Sequence, residues 1–147
     1  MKESNLIALK DAVALVEPRI EALDYFKDSD VIIKNGAEYH TFIFAPANAG
    51  NKLRLIIESN LALPSLHMTI EKTEKQYIRM SDYLKEHGNT LLEDLDEQRI
   101  LNKDAWNARD YFKEILAVFI RYLETDLRDV LEGKRWEIVP IDYMGYR

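Results

Sequence analysis

Six apolar residues, Phe112, Leu116, Phe119, Leu123, Leu127 and Val130, follow one another at spacings of three and four. At 3.6 residues per turn, that spacing places all six on one stripe of a helix. Asn102 or a near neighbour can start the helix, and Gly133 can stop it. A helix of about 30 residues runs roughly 45 Å, long enough to carry the rest of a small fold. The expectation is a mainly α protein: a helical bundle built on a long helix at about 103–132.

A second stripe, Leu6, Leu9, Val13, Val16, Ile20 and Leu23, predicts a helix near the N-terminus. Ser4 can cap it, and Pro18 should kink or break it, because proline removes an amide donor and crowds the preceding turn. The repeat is too short to favour a coiled-coil seam. Between the stripes, "VIIKNGAEYHTFIF" holds two β-rich runs around Asn35-Gly36, a hairpin cue. "KLRLIIES" can add a third strand, although Leu53, Ile56, Ile57 and Leu61 also fit a helix and Asn35 and Glu38 have capping-box spacing. The preferred reading is a small antiparallel β element at about 31–58, an α+β arrangement, with "APANAG" as a loop. From Ser65 onward the pattern reads as helix. Ile70, Thr73, Tyr77, Met80 and Leu84 form one face, Glu71 and Lys75 pair outside it, and His87-Gly88 ends it. In the tail "RWEIVPIDYMGYR", Trp136 and Ile138 alternate as in a short strand that Pro140 would end.

The chain has 147 residues, which predicts a single domain over 1–147. It has no cysteine, so disulfides and thiolate chemistry are excluded. No apolar run approaches the roughly 20 residues of a membrane span. Lys10, Asp11 and Glu17 interrupt the N-terminal apolar stretch, so no signal peptide is expected and a cytoplasmic location is. The net charge is −6 and uneven: residues 1–30 carry 4 basic and 7 acidic side chains, residues 89–132 carry 6 and 11. Such a surface repels phosphate backbones and attracts basic proteins. A helix-turn-helix at 90–99 and beyond 103 would mix Asp104, Asp110 and Glu114 into its recognition helix, so nucleic acid is not an expected partner.

The acid surplus peaks in "NTLLEDLDEQR", Asn89 to Arg99. Thr90 and Glu93 have capping-box spacing, and at 100° per residue Leu91, Leu92 and Leu95 share one side. Glu93, Asp94, Asp96 and Glu97 fill another, and the helix should end near Gln98 or Arg99. The plain account is a solvated face whose first acids suit the helix dipole. Three of the pairs are like-charged at neighbour spacing, each costing about 0.2–0.5 kcal/mol, and only Asp96 has a basic residue, Arg99, within a turn. The sharper account is a landing surface for a basic partner.

Catalytic and metal signatures are missing. There is no Glu-x-x-His or His-Glu-x-x-His, no glycine closing a calcium loop after Asp94 and Asp96, no Gly-x-Ser-x-Gly and no glycine-rich phosphate loop. No metal or cofactor is expected. The three histidines, His40, His67 and His87, are each more simply structural, though any one could act as a base near neutrality. The expectation is therefore a non-enzymatic inhibitor that masks a basic, nuclease-like toxin in the manner of an immunity or antitoxin protein. Glu93, Asp94, Asp96 and Glu97 would supply charge, and Trp136, Tyr143 and Tyr146 would supply packing. The alternatives are a small hydrolase with His40 or His67 as base, and a structural helical oligomer.

Overall fold

The structure is a computed structural model that describes residues 2–34, 38–62, 64–101 and 106–140. It is not a helical bundle. Helix α1 (Lys2–Glu21) leads into five strands, β1 (Tyr25–Lys34), β2 (Glu38–Pro46), β3 (Arg54–Asn60), β4 (Leu66–Thr73) and β5 (Gln76–Arg79). Helices α2 (Met80–Glu86), α3 (Leu91–Leu101), α4 (Ala108–Glu124) and α5 (Arg128–Leu131) follow. The strands form one antiparallel meander in the order β1-β2-β3-β4-β5. The fold is α+β with a full sheet, which corrects the expectation of a mainly α bundle with a small β element at 31–58.

The structure departs most from the sequence expectation at 66–79. Ile70, Thr73 and Tyr77 sit at helical spacing, but Leu66, Met68 and Ile70 also alternate, and all three are buried against the core. Period two wins because β3 offers a partner: Leu55 pairs with Ile70 and Ile57 with Met68. Glu71 stands opposite Arg54 and Tyr77 in the sheet, not one helical turn from Lys75. The hairpin cue, Asn35-Gly36, lies outside the described residues, but the strands on either side of it pair from Lys34–Glu38 down to Tyr25–Pro46. A bulge between Lys27 and Ser29 interrupts the edge strand β1.

One face of the sheet is covered. Phe42 and Phe44 of β2, Leu55 and Ile57 of β3, Met68 and Ile70 of β4 and Ile78 of β5 are buried with Leu9, Val13 and Ile20 of α1. Helix α4 adds Phe112, Ile115, Leu116, Phe119, Ile120 and Leu123 to the same cluster. The long helix expected at 103–132 is divided in two. Asn107 caps α4 by accepting from the Asp110 amide at 2.9 Å. At the other end, the Thr125 hydroxyl donates to the Arg121 carbonyl at 2.7 Å, and a turn leads into α5. The expected start at Asn102 lies outside the described residues. Leu127 and Val130 remain buried although the helix has broken, which is why the stripe read as continuous.

Helix α1 begins before Ser4 and runs through Pro18 to Glu21. Asp24, at φ 65°, then turns the chain into β1. The tail at 135–140 forms no strand; Ile138 is exposed while Val139 is buried.

Candidate functional site: a charge-lined groove beside helix α3

The acidic stretch forms α3, which runs two residues past its expected end. Asn89 opens it by accepting from the Leu91 amide at 2.9 Å, and the Thr90 hydroxyl donates to Asp94 at 3.1 Å. Leu95 is its single buried residue, with Leu91 and Leu92 half-buried against the core. The four acids do not share one surface. Glu93 and Asp96 line a groove of about 340 Å³ between α3, the start of β4 and the β5–α2 junction. Asp94 and Glu97 are exposed and do not line it.

The groove is balanced in charge. Glu93, Asp96 and Asp82 line it together with Arg79, Lys85 and Arg99. Arg79 donates to both oxygens of Asp82, at 2.7 and 3.3 Å, and Asp82 is buried. A buried carboxylate keeps its charge only with such a partner. Arg99 donates to the Pro64 carbonyl at 2.9 Å, stands 3.7 Å from Asp96 and lies 5.8 Å from the Trp106 ring centroid. It thereby ties α3 to the loop that enters β4.

His67 and Ser65 stand on the β4 side of the groove, with Ser65 Oγ 3.3 Å from His67 Nε2. Crowding by the surrounding atoms lowers the His67 pKa, although the residue keeps an exposed edge; Glu58 opposes this shift and Arg79 adds to it. His67 is therefore neutral near pH 7 and can accept from the hydroxyl. On the other side of His67, a second groove of about 330 Å³ is lined by Tyr39, Glu58, Thr69 and Arg79. Tyr111 of α4 lines the first groove; its oxygen accepts from the Leu66 amide at 3.2 Å, and burial raises its pKa.

His40 is buried in the sheet against the Asp30 carboxylate and the Phe42 ring, out of reach of a substrate. His87 stacks on Tyr83 at 4.0 Å between ring centroids. Trp136 is half-buried against the core, with the Lys72 ammonium 5.5 Å from its ring centroid. Tyr143 and Tyr146 lie outside the described residues. Strand β4 rises about 3.3 Å per residue, so its Leu66 end, beside α3, and its Lys72 end, beside Trp136, are roughly 20 Å apart. Trp136 and the α3 acids therefore do not form one continuous patch.

Sequence reasoning missed Ser65, Arg79, Asp82, Lys85 and Tyr111. The Ser65–His67 alternation is a legible strand signal, but the helical spacing of Ile70, Thr73 and Tyr77 masks it. Comparison with family models, curated proteins and solved structures finds no match to this chain. Its class is therefore defined by the α+β fold and the groove alone. No three His, Asp or Glu side chains among the described residues converge as a metal site, and no described helix is long and apolar enough to cross a membrane.

Proposed function

We propose that the chain is a protein-binding module whose docking element is the outward side of α3. The observation that carries this reading is the end of that helix: Ile100 and Leu101 are 68% and 75% exposed, next to the exposed Asp94 and Glu97. Large aliphatic side chains left in water, beside carboxylates with no cationic partner among the described residues, suit a partner segment that is both apolar and basic. Glu93 and Asp96 line the charge-balanced groove instead, with Asp96 3.7 Å from Arg99 on the same helix. The narrowest form of the proposal is an immunity- or antitoxin-type protein that masks a basic, nuclease-like toxin, with Asp94 and Glu97 standing where phosphates would otherwise sit.

The test is affinity for the polypeptide encoded beside this one, measured at low and high salt with Asp94→Lys/Glu97→Lys and Ile100→Ser/Leu101→Ser. Both variants should weaken binding at least tenfold, with a smaller salt dependence in the first. Unchanged affinity in both would sink the assignment to α3.

A second reading, a small hydrolase, is favoured by one observation: the Ser65–His67 contact in a groove that also holds carboxylates and cations. A neutral imidazole beside a hydroxyl is the beginning of a nucleophile–base pair. This reading predicts hydrolysis of p-nitrophenyl acetate that is lost in both Ser65→Ala and His67→Gln. Turnover equal in wild type and Ser65→Ala would remove it.

A further inference from the structure

At the opposite end of β4 lies a larger groove of about 610 Å³, between the β2–β3 loop, the end of β4 and the segment after α5. Its lining includes Asn48, Asn51, Lys52, Lys72, Arg135 and Trp136. We propose that this groove binds a small aromatic anion, a ring of nucleobase size that carries one phosphate or carboxylate.

Charge is the first argument. Three cations line the groove against one acid, Glu132, in a chain of net charge −6. Glu132 is already engaged by Lys134 at 3.1 Å, and Arg135 by Glu137 at 2.8 Å. Lys52 and Lys72 have no carboxylate partner among the described residues; Lys72 lies over the Trp136 ring. Two unneutralised ammonium groups at one site attract an anion strongly at short range. Screening over a Debye length of about 8 Å confines that attraction to the groove, and the net charge of −6 on the whole chain disfavours a long polyanion.

Shape is the second argument. The floor is set before any ligand arrives. The Asn51 side chain donates to the Leu131 carbonyl at 2.8 Å and to the Tyr25 oxygen at 3.3 Å, and accepts from the Leu53 amide at 3.0 Å. Asn48 accepts from the Gly50 amide at 2.9 Å, which fixes the loop tip. Gly133, at φ 77°, turns the chain so that Trp136 stands beside β4 as an apolar wall. A rigid polar floor, an indole wall and a pair of lysines make a preorganised site of ordinary ligand size.

The test is calorimetric titration at millimolar concentration with three probes: AMP, adenosine and inorganic phosphate. AMP should bind saturably, at least about tenfold tighter than either of its halves. Lys52→Ala/Lys72→Ala should weaken AMP by a similar factor without moving the urea midpoint, and Trp136→Leu should weaken AMP and leave phosphate unchanged. Lys52→Ala alone, at an exposed position, guards against a folding defect in the other two variants. No heat from AMP overturns the proposal. So does AMP binding no tighter than phosphate or adenosine, or AMP binding indifferent to the lysine substitutions.

Discussion

Tyr25 is where one side chain joins three parts of the fold. It stands at the start of β1, is buried, and donates its hydroxyl to the Leu131 carbonyl at the end of α5 at 2.7 Å, while Asn51 of the β2–β3 loop donates to its oxygen. Burial pushes its pKa up to about 12, and burial does the same to Tyr83. In both, the folded value lies above the ordinary value of 10, so below pH 10 their full contribution to stability is present. As pH rises from 10 towards 12 the unfolded chain releases these protons first and stability falls, by up to about 2.7 kcal/mol per pH unit for two protons. Alkaline unfolding should therefore steepen above pH 10, with tyrosinate absorbance appearing together with loss of circular dichroism. Tyr25→Phe should reduce that steepness and cost about 1 kcal/mol at pH 7, because Asn51 still serves the Leu131 carbonyl. Tyrosinate absorbance below the unfolding transition that disappears in Tyr25→Phe would show that this phenol is not buried.

At the scale of elements, the helices facing the core were legible in the sequence and the sheet was only half legible. The α1 and α4 stripes survive because an amphipathic helix shows its period locally, whatever covers it. Strands β4 and β5 were not legible because a strand's evidence sits in its neighbours: Met68 pairs with Ile57, and Ile70 with Leu55 on one side and Ile78 on the other. Ile70, Thr73 and Tyr77 happened to fit a helix as well, and local pattern could not decide. The candidate groove failed for the same reason, since Ser65 and His67 were placed on the wrong element. Breaks inside helices are also non-local in origin: Leu127 and Val130 stay buried across the Thr125 turn, so the stripe gave no warning. Helix α4 carries the largest share of helical burial, and its start is defined by Asn107. Asn107→Ala should cost about 1 kcal/mol and Asn107→Ser, which keeps a cap acceptor, less, whereas Phe119→Ala, which empties a fully buried site, should cost about 3–5 kcal/mol. Urea denaturation of the three variants checks the order; an Asn107→Ala loss as large as that of Phe119→Ala would mean that the cap is coupled to packing.

At the scale of the whole molecule, attachment to the core is uneven. Helices α1 and α4 pack against each other and against the sheet, and each buries many side chains. Helix α3 buries Leu95 alone and is otherwise held by half-buried Leu91 and Leu92 and by the Arg99 bond to the Pro64 carbonyl. Few buried contacts and an exposed acidic side mean that α3 can open without the sheet opening. Its amides should exchange with deuterium about two to three orders of magnitude faster than those of α4, and Arg99→Ala should widen that gap while leaving α4 protection unchanged. A docked partner covering Asp94, Glu97, Ile100 and Leu101 would close it, because binding adds its free energy to the opening of that helix first. Equal protection in α3 and α4 of the free protein would mean that α3 belongs to the same cooperative unit as the sheet. The exposed aliphatic pair would then be part of a rigid surface, and a partner would gain no added order from engaging it.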